Sequence, residues 1–280
     1  MNFSSTNIWN NSLFSRYPIN KIKKIGDLYF YDDNNMLICQ NFFNPIIENN
    51  ELNELKTNIL NFKKIKFSYI NNSESLEKLK KMAIDNAFTY EIIDSWEAPR
   101  LVLKKNPASY FENNCGSQIK KNYKNYLNNT SKYKFYNSEY DNALELWSNV
   151  LKIDFESWKK EEQSDMKSLN REDLQYLPFL LLEKKKSSLI VICDLNDNPL
   201  AYSLMFKGEN DYWYAVKWGA SYQGRKKYAG FSCLFNHLEY LYSKEKQLHI
   251  DFWGRRNKTY DLLKNESIIR NHIFIYKKES

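Results

Sequence analysis

The chain of 280 residues carries a formal net charge of +7 from 41 basic and 34 acidic residues, and 42% of its residues are hydrophobic. This composition excludes a disordered chain, and it favours anionic partners without the charge density of a dedicated nucleic-acid-binding domain. The longest apolar run, LPFLLL at 177–182, is too short to cross a bilayer, and the first residues lack the pattern of a signal peptide. We therefore expect a cytoplasmic protein without a transmembrane segment.

The four cysteines are widely separated and form no C-x-x-C pair, which argues against a zinc site and against a disulfide framework. They are Cys39, Cys115, Cys193 and Cys233. We expect reduced thiols and no metal.

The first hundred residues alternate short apolar segments with one helical pattern, SLEKLKKMAIDNAF, as a small α/β unit would. Pro107, Gly116 and several Asn residues then interrupt the pattern at 104–117. The sequence therefore predicts two domains, 1–105 and 106–280.

A basic segment follows at 117–134, where Ile119, Tyr123, Tyr126 and Leu127 form the apolar face of a predicted helix. Its lysines include Lys120, Lys121 and Lys124. Two interpretations stay open: a solvated basic face, or contact with an anionic substrate. A second helix is predicted at 139–159, and the acidic stretch EEQSDMKSLNRED after it is a candidate lid.

The last hundred residues predict three strands with short turns, at 188–193, 199–206 and 212–221. A helix at 231–245 follows, with His237 off its apolar face. The segment LHIDFW then alternates as a fourth strand, and the helical crossover should make it parallel to the strand at 212–218.

Three cations, Arg225, Lys226 and Lys227, stand directly before that helix, where its exposed N–H groups already carry partial positive charge. The cluster is either simply solvated or part of an anion site that the N–H groups complete.

This order of elements resembles the GNAT acyltransferase superfamily, and within it the tandem, Fem-like branch that includes cellulose-biosynthesis type acetyltransferases. The segment RKKYAG at 225–230 is similar to the GNAT pattern Q/R-x-x-G-x-G/A, with Tyr228 in place of the first Gly. The segment DFWGRRNKTYD resembles a second feature of the branch, with Asp261 where the branch has Lys. The ESWK at 156–159 and the basic segment from Ser117 also correspond to features of the branch.

The resemblance implies an α/β fold of two GNAT-like halves, each a mixed, mostly antiparallel sheet flanked by helices, the first half degenerate. It also implies acetyl-CoA or another acyl-CoA as co-substrate, with pantetheine between the strands 212–218 and 248–252. The pyrophosphate would lie on the turn before the helix. The implied cofactor-binding residues are Trp218, Gly219, Arg225, Lys226, Lys227, Tyr228, Ala229 and Gly230.

In such an enzyme an amine attacks the thioester, a base removes a proton and a donor stabilises the leaving group. Asp251 is the first candidate base, with a purely structural role as its alternative, and His249 is the reserve. Tyr260 is the candidate donor, although it also fits a core position. Trp158 and Lys159 are candidates for the acceptor, with packing and solvation as their alternatives.

The resemblance thus implies an acyl-CoA dependent N-acyltransferase acting on a small-molecule or sugar-linked amine, such as an amino sugar or a surface-polymer precursor. Two alternatives stay open: an aminoacyl-tRNA dependent, Fem-like transferase, whose tRNA would use the basic segment, and a non-catalytic binding module of the same fold.

Overall fold

A computed structural model describes residues 19–26, 28–39, 49–59, 62–70, 73–157, 181, 185–208, 212–252 and 258–277. The chain divides into two compact units, Met1–Ala98 with Ile268–Ser280, and Pro99–Ser267. The border predicted from the sequence lies a little later in the chain and leaves the C-terminal strand in the second domain. The structure instead returns that strand to the first unit.

The first unit begins with a three-stranded meander. Its elements are β1 (Ile22–Ile25), β2 (Leu28–Asp33), β3 (Met36–Cys39), α1 (Asn49–Ile59), β4 (Lys64–Ile70), α2 (Ser73–Asp85), the first part of β5 (Phe88–Leu103) and most of β11 (Glu266–Lys277). Asp33 pairs with Met36, so Asn34 and Asn35 form a two-residue hairpin loop, and both have the positive φ that such loops require.

The sheet of the first unit has the order β1-β2-β3-β4-β11. All of its neighbours are antiparallel except β3 and β4, which are parallel, as a crossover through α1 dictates. Its core includes Phe30, Leu37, Ile65, Phe67 and Ile273.

The second unit repeats this plan at larger size. Its elements are the end of β5, α3 (Pro107–Asn113), α4 (Ser117–Asn129), β6 (Tyr133–Asn137), α5 (Ala143–Phe155), β7 (Ser187–Asp194), β8 (Pro199–Lys207), β9 (Tyr212–Ala220), α6 (Tyr222–Lys226), α7 (Ala229–Glu245), β10 (Leu248–Asp251) and α8 (Lys258–Leu263). The strand order is β5-β10-β9-β8-β7-β6, and only β10 and β9 are parallel. Each unit is therefore a mixed, mostly antiparallel sheet with helices, which confirms the fold predicted from the sequence.

Helices cover both faces of the second sheet. Successive strand residues point to opposite faces, and on β8 the Tyr202 hydroxyl donates to Asp154 of α5, whereas Ser203 contacts His237 of α7. The apolar side of α7 packs on α3, α4 and the sheet through an aromatic cluster of Phe111, Tyr123 and Phe235.

Most predicted elements of the second unit are confirmed, with two corrections at single residues. Leu127 was expected on the apolar face of α4 but is 47% exposed. His237 was expected off the apolar face of α7 but is fully buried, because two serines of the sheet satisfy its ring nitrogens. The predicted lid lies outside the described residues.

Candidate functional site

The parallel pairing between β9 and β10 ends part-way along β9. The two strands pair only from His249 opposite Tyr212 to Asp251 opposite Tyr214, although β9 continues to Ala220. A bulge between Ala215 and Lys217 on the β8 side bends β9 at the same level. Beyond Tyr214, no described residue of β10 pairs with β9.

A cavity of about 450 Å³ lies against this end of β9 and the start of α7. Its lining residues are Trp218, Gly219, Ala220, Arg225, Tyr228, Gly230, Phe231 and Thr259. Five of the eight residues predicted to bind the cofactor line this cavity: Trp218, Gly219, Arg225, Tyr228 and Gly230.

The turn that leads to the cavity is fixed by local contacts. The Ser221 hydroxyl accepts from the Gly224 N–H at 3.1 Å and donates to the Leu200 carbonyl at 3.3 Å. A Cβ on Gly224 would lie 2.0 Å from that carbonyl oxygen, so only glycine allows α6 to approach β8 this closely. Ser221 and Gly224 were not among the predicted site residues, although serine is a preferred N-cap residue.

The first turn of α7 points its N–H groups at this region. Its N-cap residue is Tyr228, and no side chain caps the helix. The Trp218 indole N–H donates to the Gly230 carbonyl at 3.0 Å, which holds β9 against the helix start. Ala229 is fully buried and does not line the cavity. An uncapped helix N-terminus favours an anion.

The three cations of the turn differ in whether they reach the cavity, although Arg225 and Lys226 both lie near the Tyr222 ring. Arg225 lines the cavity. The Lys226 ammonium lies 4.4 Å from the centre of the Tyr222 ring, and the Lys227 ammonium lies 3.4 Å from the Asp194 carboxylate. Arg225 is thus the cation of the three that the structure brings to the site.

Asp251 is fully buried and pairs with Arg100, whose Nε lies 2.9 Å from the carboxylate. The guanidinium in turn lies 4.3 Å from the centre of the Tyr212 ring. Loss of either partner of a buried ion pair leaves an uncompensated charge, so the Asp251 carboxylate is tied to Arg100. Of the two roles left open by the sequence, this arrangement favours the structural one, holding β10 to β5.

His249 lies on the same face of β10 as Asp251, in edge contact with Tyr212. Its Nε2 lies 2.9 Å from the Gln247 amide nitrogen, and its Nδ1 is buried without a hydrogen bond among the described residues. Neither His249 nor Asp251 lines the cavity.

Tyr260 lies close to the cavity on α8. Its ring stacks on Phe252 at 4.6 Å and lies 6.4 Å from the Trp218 ring, which lines the cavity. Burial raises the pKa of Tyr260 to about 12, so its hydroxyl stays protonated at neutral pH and can donate a hydrogen bond.

The predicted acceptor residues are not at this cavity. Lys120, Lys121 and Lys124 lie exposed on the outer side of α4, whose inner side holds Tyr123 and Tyr126 against Glu239 of α7. Trp158 and Lys159 lie outside the described residues. A separate cavity of about 510 Å³, with Lys104, Lys105 and Lys264 among its lining residues, contains none of the predicted site residues.

Solved structures share the fold of this chain. FemX aligns over 89% of this chain and 83% of its own, with a TM-score of 0.62 at 10% identity. L-PGS from Bacillus licheniformis aligns over 92% of this chain and 84% of its own, with a TM-score of 0.59 at 11% identity. A tandem GNAT protein from the clavulanic acid biosynthesis pathway aligns over 98% of this chain and 89% of its own, with a TM-score of 0.53 at 8% identity.

The fold is GNAT-like. At these identities the likeness shows the fold alone, and no protein-family model or curated protein matches the sequence. Within the described ranges, no cluster of His, Cys, Asp and Glu could hold a metal ion. Of the helices described, none has the length and apolar character needed to cross a membrane.

Proposed function

We propose that the chain is an acyl-CoA dependent N-acyltransferase of the tandem, Fem-like type, in the branch of the cellulose-biosynthesis acetyltransferases. The observation that carries this proposal is the cavity beyond the end of the β9–β10 pairing, where the uncapped start of α7 and Arg225 meet the last residues of β9. The acceptor proposed is an amine, such as that of an amino sugar or a surface-polymer precursor.

The start of α7 binds the pyrophosphate of CoA. A helix N-terminus carries about half a positive charge, and charge-assisted bonds from a guanidinium add to it. One helix start and one arginine suit a single diphosphate better than an extended polyphosphate. The pantetheine arm then lies along β9 after Tyr214, where its amides pair with the strand as an added strand would.

Tyr260 is the proposed donor to the reacting atoms. The amine nitrogen attacks the thioester carbonyl carbon, the carbon–sulfur bond breaks, and the sulfur takes a proton from the Tyr260 hydroxyl, which regains one from water. Asp251 keeps its ion pair and positions β10. The ammonium form loses one proton to water before the attack, because an amine with a pKa near 8 is substantially neutral at slightly alkaline pH, and the nitrogen gives a second proton to water as the amide forms.

The test is calorimetric titration with CoA together with an acetyl-transfer assay. We expect wild type to bind CoA and Gly230→Val to bind it at least tenfold more weakly, because a branched side chain blocks approach to the first turn of α7. Tyr260→Phe should bind CoA normally and lose roughly 10²-fold in kcat. Normal binding by Gly230→Val would place the donor elsewhere.

The aminoacyl-tRNA alternative is favoured by one observation, the exposed lysines of α4. A tRNA donor would engage many phosphates, and its affinity would fall steeply with salt. CoA binding without transfer to any amine would instead support the non-catalytic alternative, to which Tyr228 and Asp261 point as departures from the family pattern.

A further inference from the structure

Tyr228 has a backbone conformation that its side chain disfavours. Its φ of 58° and ψ of 21° place it in the left-handed region, where a bulky side chain costs free energy that glycine does not. Most other residues with positive φ in the described part of the chain are Asn, Asp or Gly, or end a helix, as Lys246 does. Tyr228 is the aromatic residue among them.

Among the described residues, no hydrogen bond or ring contact of the Tyr228 side chain compensates for this strain. The Tyr228 ring is 53% exposed, and it makes no ring contact, and its hydroxyl no hydrogen bond, with the described residues. The hydrogen bonds of Tyr228 all use its backbone: its N–H donates to Arg225, and its carbonyl accepts from Ser232. A strained residue whose side chain makes neither a hydrogen bond nor a ring contact with the described residues points to a role in binding.

The ring lies at the right place for such a role. Tyr228 lines the cavity together with Arg225, and it directly precedes the first N–H groups of α7. When the N–H groups of α7 hold a diphosphate, the chemical group attached to that diphosphate lies beside the Tyr228 ring. In nucleotide ligands that group is a nucleoside, and bases of any sequence stack on tyrosine.

We propose that the Tyr228 side chain is the stacking surface for the nucleobase of a nucleoside diphosphate ligand. This inference rests on the proposed function, in which that ligand is CoA and the base is its adenine. It assigns a binding role to the side chain, which is separate from the role of the backbone turn in holding the pyrophosphate.

The test compares two ligands that differ in the nucleoside: CoA, and 4′-phosphopantetheine, which has the arm and one phosphate but no base. Each is titrated calorimetrically into wild type, Tyr228→Phe and Tyr228→Asn. Asparagine tolerates the left-handed conformation, so the substitution Tyr228→Asn removes the ring without changing the backbone of the turn. Tyr140→Asn is the matched control, because Tyr140 is 73% exposed and does not line this cavity.

We expect Tyr228→Asn to bind CoA about tenfold more weakly and 4′-phosphopantetheine as wild type does. Tyr228→Phe and Tyr140→Asn should bind both ligands as wild type does, and the unfolding temperature of Tyr228→Asn should not fall. Unchanged CoA affinity in Tyr228→Asn, equal weakening for both ligands, or a lowered unfolding temperature would each overturn the inference while the donor site stands. If wild type itself binds no CoA, the proposed function fails, and the inference fails with it.

Discussion

At the scale of single residues, one contact explains why position 224 must be glycine. A Cβ there would lie 2.0 Å from the Leu200 carbonyl oxygen, and the backbone of β8 cannot move away without breaking its pairing with β9. The close approach of α6 to β8 positions Arg225, the next residue, at the cavity.

We expect Gly224→Ala to lower the free energy of unfolding by about 3 kcal/mol, in the range of severe overpacking. Gly116→Ala is the matched control, because nothing lies within 4 Å of a Cβ at that position and its φ is −65°. Urea unfolding measures both. Equal effects for the two substitutions would show that the contact with Leu200 is not what requires glycine.

Asp251 is the residue at which a structural and a catalytic role make opposite predictions. We expect Asp251→Asn to destabilise the protein by about 3 kcal/mol, because it leaves the Arg100 cation without its buried partner. The kcat of the folded variant should stay within about tenfold of wild type.

The control for Asp251 is Asp197→Asn, which breaks the exposed pair with Lys134 and should leave the unfolding temperature nearly unchanged. A loss of kcat of roughly 10²-fold or more in Asp251→Asn, with normal stability, would assign Asp251 as the base.

At the scale of elements, α7 is held to its sheet by a buried histidine. His237 Nδ1 lies 2.9 Å from the Ser203 hydroxyl on β8, and its Nε2 lies 2.9 Å from the Ser188 hydroxyl on β7. Burial lowers the pKa of His237 to about 3, from an ordinary value of 6.5. The helix whose start lies at the cavity is therefore fixed by a neutral imidazole.

This pKa predicts acid sensitivity with a definite sign. Between pH 6.5 and about 3 the unfolded chain binds a proton at His237 that the folded protein does not, so stability is complete above pH 6.5 and falls as the pH is lowered. The loss at pH 5 should be about 2 kcal/mol.

Urea midpoints at pH 7 and pH 5 measure this loss for wild type and for His237→Asn, which can still bond a serine hydroxyl but cannot titrate. The variant should be less stable at pH 7 and should lose less stability on going to pH 5. An equal loss in both proteins would assign the acid sensitivity to other groups.

At the scale of the whole molecule, the exposed lysines separate the two donors. Lys120, Lys121 and Lys124 lie on α4 and not at the cavity, so replacing all three with Gln should change CoA affinity by less than about twofold. The control is the same replacement of Lys78, Lys80 and Lys81 on α2, which removes the same charge from the other unit.

Retention of tRNA is measured for these proteins from low to physiological salt. Steeply salt-dependent tRNA binding that the α4 variant loses and the α2 variant keeps, without any response to CoA, would replace the acyl-CoA proposal with the aminoacyl-tRNA alternative.

Local patterns in the sequence were sufficient for α4, α5, α7 and β7 to β10, whereas α3, β6, α6 and α8 were not predicted. Apolar residues at helical spacing predicted α7, short apolar runs between turns predicted β7 to β9, and alternation predicted β10. The parallel pair followed from the crossover rule. Five predicted cofactor residues line the cavity because they are close in the chain, at 218–219 and 225–230. Neighbours in sequence stay neighbours in space, so a short motif locates its own site.

Tertiary structure alone decided the contacts between residues distant in the chain. Arg100 pairs with Asp251, Ser188 and Ser203 bond His237, and the C-terminal strand β11 lies beside β4 in the first unit. The sequence showed that Asp251, His237 and Lys227 are polar, but not which partner each would meet. The partner depends on strand order and register, and these are set by the packing of the whole sheet rather than by any segment of it.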